Sequence, residues 1–123
     1  MPPRPRRNRW YDWAEAESER ILAALPSNIR KKLGNILITL EAHPAPEDED
    51  DDLLGLFTGC AYGDELAEAD LLPPTVRLFI ENLRLEADDN PRRFREEVRT
   101  TLLHEIGHYL GLEEDDLDDL GIG

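Results

Sequence analysis

The sequence predicts a single α+β domain, in which a small mixed β-sheet packs with an N-terminal helix and a long helix near the C-terminus. Three observations support this class. Apolar residues recur at three- and four-residue spacings near both ends of the chain, apolar segments with strand-like patterns lie between them, and 123 residues suit one compact domain. We expect this domain to span residues 10–123, after a disordered basic tail at residues 1–9 that is rich in Pro and Arg.

The first predicted helix covers residues 10–25, where apolar side chains follow a helical period, and Pro26 ends it. Its two tryptophans are expected to pack the helix on the sheet. Ser27 has the character of an N-cap for a short second helix over residues 28–33, which Gly34 would close.

Three strands are predicted, over residues 36–42, 53–60 and 75–81. In the second strand, Gly55 and Gly59 indicate a bulge or a close approach of another part of the backbone. Before this strand lies a loop with six consecutive acidic residues, 47–52. Charges of one sign at this density repel each other and favour a solvated insertion, although a cation site or a selector for basic substrates is the alternative.

The last and longest helix is predicted from Pro91 to Leu110, after a connector at residues 82–89. Asn90 is a favourable N-cap, Pro91 occupies the preferred first position, and Gly111 can adopt the left-handed conformation that ends a helix. One buried stripe is expected, formed by Phe94, Val98, Leu102, Ile106 and Leu110.

The end of this helix carries the pattern H-E-x-x-H-x-x-G-x-x-E. Residues four apart lie about 40° apart round a helix, so His104 and His108 can hold one metal ion together. Glu105 lies one step round, which suits a base acting on a water that the metal activates. After the turn at Gly111, Glu114 could return as a third ligand, with Asp115 as its closest substitute. Two imidazoles, one carboxylate and an open position are typical of catalytic Zn²⁺.

At His104, Glu105 and His108 the chain resembles the zincin metallopeptidases, and Gly111 and Glu114 are similar to the longer metzincin-like pattern. That pattern usually ends in His and sometimes in Asp, and no Met-turn can follow here because the only methionine is Met1. With segments 53–57 and 72–79, the chain looks like the minimal single-domain bacterial zincin-like family. The resemblance implies that strand 53–60 lies above the active-site helix and pairs with an extended substrate.

The leading hypothesis is therefore a zinc-dependent peptidase that acts on a peptide or protein substrate, with Glu105 as general base. The alternative is a zinc-binding module without useful peptidase activity, acting as an interaction or regulatory domain. A metal-dependent ribonuclease is a third hypothesis, but Glu105 and the net charge of −14 count against it. Tyr62 could donate to an oxyanion or simply pack, and His43 has no spaced partner that would support metal binding.

Composition restricts the partners and the compartment. A net charge of −14 repels nucleic-acid phosphates, and no run approaches the roughly 20 apolar residues of a membrane span, so we expect neither nucleic acid nor membrane as a partner. A single cysteine, Cys60, cannot form an internal disulfide, which fits a reducing compartment, and we expect a cytoplasmic protein. The sequence does not predict the oligomeric state.

Overall fold

The computed structural model describes residues 8–48, 50–59 and 74–111, and the following description concerns those residues. They form four helices and one sheet of three strands. The elements in chain order are α1 (Arg9–Ala24), α2 (Ser27–Leu33), β1 (Leu37–Glu41), β2 (Gly55–Thr58), β3 (Thr75–Phe79), α3 (Ile80–Glu86) and α4 (Pro91–Leu110). The predicted α+β class with a small sheet is confirmed.

The sheet is mixed, with strand order β1-β3-β2. β1 runs parallel to β3, with Thr39 opposite Arg77, and β2 runs antiparallel to β3, with Leu56 opposite Arg77. Val76 and Leu78 of the central strand are fully buried. Because side chains alternate along a strand, these two residues define the inner face of the sheet, and Arg77 lies on the outer face.

The core lies between this inner face and the helices, and α4 is its centre. The predicted stripe of α4 is confirmed, since Phe94, Val98, Leu102 and Ile106 are fully buried and Leu110 packs partly buried against them. The expectation that the tryptophans of α1 pack on the sheet is wrong. Trp10 instead lies edge-on to Phe94 of α4, with ring centroids 4.9 Å apart, and Trp13 lies edge-on to Trp10.

The first two helices begin one residue earlier than the sequence indicated. Asn8 caps α1 by accepting a hydrogen bond from the Trp10 backbone N–H at 2.8 Å, so Arg9 is already helical. Pro26 occupies the N-cap position of α2, and Ser27 is its first helical residue, which makes the predicted capping role of Ser27 wrong. The proline presets the backbone at this entry, and its ring has no N–H that would need a partner.

Helix α3 was not predicted. Its first residues were assigned to the end of the third strand and the rest to a connector, whereas the strand ends at Phe79 and Ile80 begins a helix. The physical reason is the burial of Ile80, Leu83 and Ala87, whose three- and four-residue spacing places them on one helical face. Phe79 and Ile80 are both buried, so the change from strand to helix leaves no break in the apolar sequence.

The connection from α3 to α4 is tight. Asp88 and Asp89 both have positive φ, at 52° and 54°, a conformation that Asp tolerates better than most residues. α4 then begins and ends where predicted, with the Asn90 side chain accepting from the Arg93 N–H and Gly111 left-handed at φ 70°. Among the described residues, no helix is long and apolar enough to cross a membrane.

Asp48 of the acidic loop binds Arg77 of the sheet, which corrects the interpretation of this loop as a solvated insertion. Arg77 donates two hydrogen bonds to Asp48, at 2.7 and 2.8 Å, and two to Glu41, both at 2.9 Å. Asn82 donates to the carbonyls of Asp51 and Leu53 further along. These contacts hold the segment that leads directly into β2.

Candidate metal centre

The last two turns of α4 bring three potential ligands together. One ligand atom each from His104, Glu105 and His108 lies within 4.8 Å of the others. The two imidazole rings are neighbours, with centroids 4.4 Å apart and planes inclined by 64°. Both histidines are exposed, whereas Glu105 is only 7% exposed. The predicted geometry, in which a single helical turn separates the histidines, is therefore present in the structure.

Glu105 is held from two directions through one oxygen. Its Oε2 accepts a hydrogen bond from the Phe57 backbone N–H at 3.0 Å and lies 3.3 Å from Nδ1 of His108. Because Oε2 faces Nδ1 of His108, the other nitrogen of that ring, Nε2, is the one available to bind a metal. The buried carboxylate therefore both faces the metal-binding group and helps to orient one of its members.

Strand β2 lies directly against the motif helix. Below the strand, the Phe57 ring packs near the Tyr109 ring, with centroids 5.4 Å apart. Gly55 is buried two residues earlier, and a Cβ on it would stand 2.6 Å from Cγ2 of Thr101. The close backbone approach that the sequence indicated at Gly55 is confirmed, since no side chain fits between strand and helix at this point.

A groove of about 300 Å³ opens beside the group, between α4 and the chain that enters β2. Leu53, Leu54 and Gly55 form one side of it. The other side consists of α4 residues, namely Glu97, Thr100, Thr101, His104 and Glu105. The groove therefore places a strand edge, an imidazole and the Glu105 carboxylate around one space.

The chemistry of the three donors fits a divalent zinc ion. Imidazole nitrogens and a carboxylate oxygen are ordinary zinc ligands, and the exposed rings can take up an ion without opening the core. Glu105 differs from the histidines in its setting, because it is buried and already accepts a hydrogen bond from the Phe57 backbone.

Of the other sequence-predicted site residues, only His43 lies in the part of the chain that the structure describes. Glu114, its alternative Asp115, and Tyr62 lie outside the described residues. His43 is exposed in the bend that follows β1 and is not a member of the His104 group. Between β1 and the acidic loop, the Arg77 guanidinium holds the pKa values of Glu41 and Asp48 below their usual range, through hydrogen bonds to each carboxylate.

Sequence reasoning did not identify the amide of Phe57 or the carboxylate of Glu97 as parts of the site. The residue type at position 57 does not reveal that its backbone N–H donates to Glu105. The one indication in the sequence was Gly55, which marks where the strand approaches the helix. Glu97 could have been found by its spacing, because it precedes His104 by seven residues and thus lies on the same side of the helix.

A comparison with protein families identifies the family of this chain. A family model described as "Zincin-like metallopeptidase" matches residues 33–123, which includes all three strands, the acidic loop and the motif helix. Among curated proteins, none matches the chain.

Proposed function

Because the chain belongs to the zincin-like metallopeptidase family, and its described residues bring His104, Glu105 and His108 together, we propose that it is a zinc-dependent peptidase. The observation that supports the proposal best is that neighbouring residues of one helix differ in their exposure to solvent. Two imidazoles face solvent, where they can bind an ion, and the carboxylate between them is buried beside the strand edge. This arrangement supports hydrolysis by a water that a bound metal ion activates.

His104 and His108 would hold the zinc ion, with Glu114 as the third protein ligand. When bound, zinc supplies a Lewis acid that polarises the scissile carbonyl and lowers the pKa of water. Glu105 accepts the proton of the attacking water and passes it to the leaving amine. The amide bond therefore breaks without a covalent intermediate on the enzyme.

The proposal is tested by comparing the zinc-loaded wild type with Glu105→Gln on a library of unstructured peptides. The variant should retain zinc and lose at least about a hundredfold in kcat, the lower range for removal of a general base. Glu96→Gln is the matched control, since Glu96 is an exposed residue of the same helix, 3.5 Å from Arg92. Full activity of Glu105→Gln would contradict the assigned role.

The same assay separates the peptidase from the second candidate, a zinc-binding module that acts in interaction or regulation. Stoichiometric zinc with no cleavage of any peptide by the wild type would support the module. Retention of zinc by the wild type together with cleavage that depends on Glu105 would exclude it. Both functions use His104 and His108, so loss of zinc from variants at these positions does not distinguish them.

The groove favours substrates that carry a basic side chain. Glu97 lines the groove, and its carboxylate is not buried and does not bond to Phe57. Asp51 and Asp52 are exposed just before Leu53. The net charge of −14 adds to a field that attracts cations. Seven residues of helix separate Glu97 from His104, which is about 10 Å along the axis. This distance corresponds to about three residues of an extended peptide.

We therefore expect that Lys or Arg about three residues from the cleaved bond raises kcat/KM. The substitution Glu97→Lys should reverse this preference by about tenfold or more, because it replaces an attractive charge with a repulsive one. A peptide series with Lys, Gln or Glu at each position measures the effect, and Glu96→Lys makes the same charge change on a residue that does not line the groove. An identical preference in both variants would contradict the role of Glu97.

A further inference from the structure

We infer that the backbone N–H of Phe57 is the positioning group for the Glu105 carboxylate, and that the contact between Gly55 and Thr101 sets the spacing that makes this possible. The inference rests on the proposed function for its catalytic meaning. The hydrogen bond itself can be measured without any substrate.

The direction of the Phe57 amide follows from the strand pairing. In antiparallel pairs, alternate residues turn their backbone groups toward the partner strand and away from it. The Phe79 N–H donates to the Leu54 carbonyl at 3.0 Å, so Leu54, Leu56 and Thr58 turn toward β3. Gly55 and Phe57 therefore turn their backbone groups toward the other edge of β2, and there Glu105 Oε2 accepts from Phe57.

The distance between strand and helix depends on Gly55. A Cβ at this position would lie 2.6 Å from Thr101 Cγ2 and 3.2 Å from the Arg77 carbonyl oxygen. The first contact forces a displacement of strand or helix, because Thr101 is itself buried, whereas the second requires a shift of only a few tenths of an ångström. Any larger residue at position 55 thus pushes β2 away from α4, and the Phe57 N–H moves away from the carboxylate with it.

The consequence for catalysis is a fixed base. Glu105 Oε2 is held by the amide at 3.0 Å, which leaves Oε1 as the oxygen that can accept and donate the proton. Burial and this bond together restrict the side chain to one arrangement before substrate arrives. A displacement of a catalytic group by about 1 Å can lower the rate about a hundredfold, so the strand spacing should be visible in kcat.

The hydrogen bond is tested by amide hydrogen exchange, followed by NMR on the metal-free full chain. An amide on a free strand edge exchanges quickly unless it has an acceptor. Phe57 should be protected in the wild type and lose at least about tenfold of that protection in Glu105→Ala and in Gly55→Ala. Leu56, whose backbone turns toward β3, is the internal control and should stay protected. Unchanged protection of Phe57 in Glu105→Ala would overturn the inference.

The spacing is tested by a double-mutant cycle. Thr101→Ser removes the methyl group that Gly55→Ala would strike, so Gly55→Ala/Thr101→Ser should recover most of the Phe57 protection lost in Gly55→Ala. If the double variant stays as unprotected as Gly55→Ala, the role of the Gly55–Thr101 contact is wrong. Should Gly55→Ala fail to fold, Glu105→Ala still decides whether Phe57 bonds to the carboxylate.

Kinetics complete the test. Gly55→Ala should lower kcat by about ten- to a hundredfold at unchanged zinc affinity, and the double variant should recover it relative to Thr101→Ser alone. Recovery of protection without recovery of kcat would overturn the positioning role. If the wild type cleaves no peptide and the protection of the Phe57 amide still behaves as expected, the proposed peptidase function is contradicted but the hydrogen bond is established. Failure of the inference and failure of the proposed function can therefore be distinguished.

Discussion

His104, Glu105 and His108 acquire different chemistry from their angular positions on one helix. The histidines lie on an exposed side of α4, and a rotation of about 100° takes Glu105 into the boundary between helix and strand. There the Phe57 amide partly replaces the hydration that a buried carboxylate loses. Neighbouring residues in the sequence thus have the settings that the proposed metal-binding pair and the proposed proton acceptor need.

Glu114, the proposed third ligand, provides a prediction for a single residue. Glu114→Gln should weaken zinc binding by at least about a hundredfold, more than is usual for loss of an outer-shell group, because it removes a charged ligand. Asp115→Asn, the matched control, should change the affinity by less than about threefold. Competition with a chromogenic chelator measures both values. A larger loss of zinc affinity in Asp115→Asn than in Glu114→Gln would identify Asp115 as the third ligand in place of Glu114.

The sequence predicted that His104, Glu105 and His108 lie together, but it did not predict what surrounds them. The two histidines and the glutamate could be assigned because helix geometry relates residues four apart without any knowledge of the rest of the fold. The amide of Phe57 could not be assigned, since it meets Glu105 across 48 positions of sequence. Such a contact depends on strand order and register, which no local pattern specifies.

Among the elements, α4 was predicted to its first and last residues because its signals are local. Asn90 and Pro91 fix one end, Gly111 fixes the other, and the apolar stripe repeats between them. Helix α3 was missed for the opposite reason, since Phe79 and Ile80 join a buried strand to a buried helix face without any polar residue between them. The order β1-β3-β2 is a tertiary property and could not be read from three short apolar segments.

The contact of Arg77 with Glu41 and Asp48 joins β1, the acidic loop and the central strand. Arg77 donates hydrogen bonds to each carboxylate and holds the pKa of each below its ordinary value. A carboxylate whose pKa is depressed by folding stabilises the folded state above its unfolded pKa. This stabilisation is lost as the pH falls through the folded value.

Glu41→Gln should therefore lower the free energy of unfolding by about 1 kcal/mol at pH 7, a modest value because about a third of this side chain is open to solvent. The difference from the wild type should shrink below about pH 4, where the wild-type carboxylate begins to protonate in the unfolded chain. Urea unfolding at several pH values measures it. Glu47→Gln changes an exposed residue of the acidic loop and should alter stability by less than about 0.5 kcal/mol. A pH-independent effect of Glu41→Gln would contradict the ion-pair explanation.

On the scale of the whole molecule, one apolar core supports the site from behind. α4 presents its buried stripe to α1 and the sheet, and its exposed histidines lie on the other side. The strong excess of acidic residues leaves the surface negative, which lowers the cost of bringing a divalent cation to the histidines. The packed core and the proposed metal site thus use different sides of one helix.

Phe94→Ala tests this dependence on the core. Phe94 is fully buried and meets Trp10 edge-on, so its truncation should lower the free energy of unfolding by about 3–5 kcal/mol. Chemical denaturation measures the loss. Leu85→Ala removes an apolar side chain that is 77% exposed, and it should cost less than about 0.5 kcal/mol. Equal losses of unfolding free energy in the two variants would contradict the position of Phe94 in the core.

The central claim, that His104 and His108 bind zinc together, is tested most directly by titrating the metal-free protein with Zn²⁺. The wild type and His43→Ala should each bind one ion per chain with the same affinity. His104→Ala/His108→Ala should lose this binding while its far-UV circular dichroism remains that of the wild type. A wild type that stays metal-free when challenged with zinc, or a double variant that binds as tightly as the wild type, would contradict the claim.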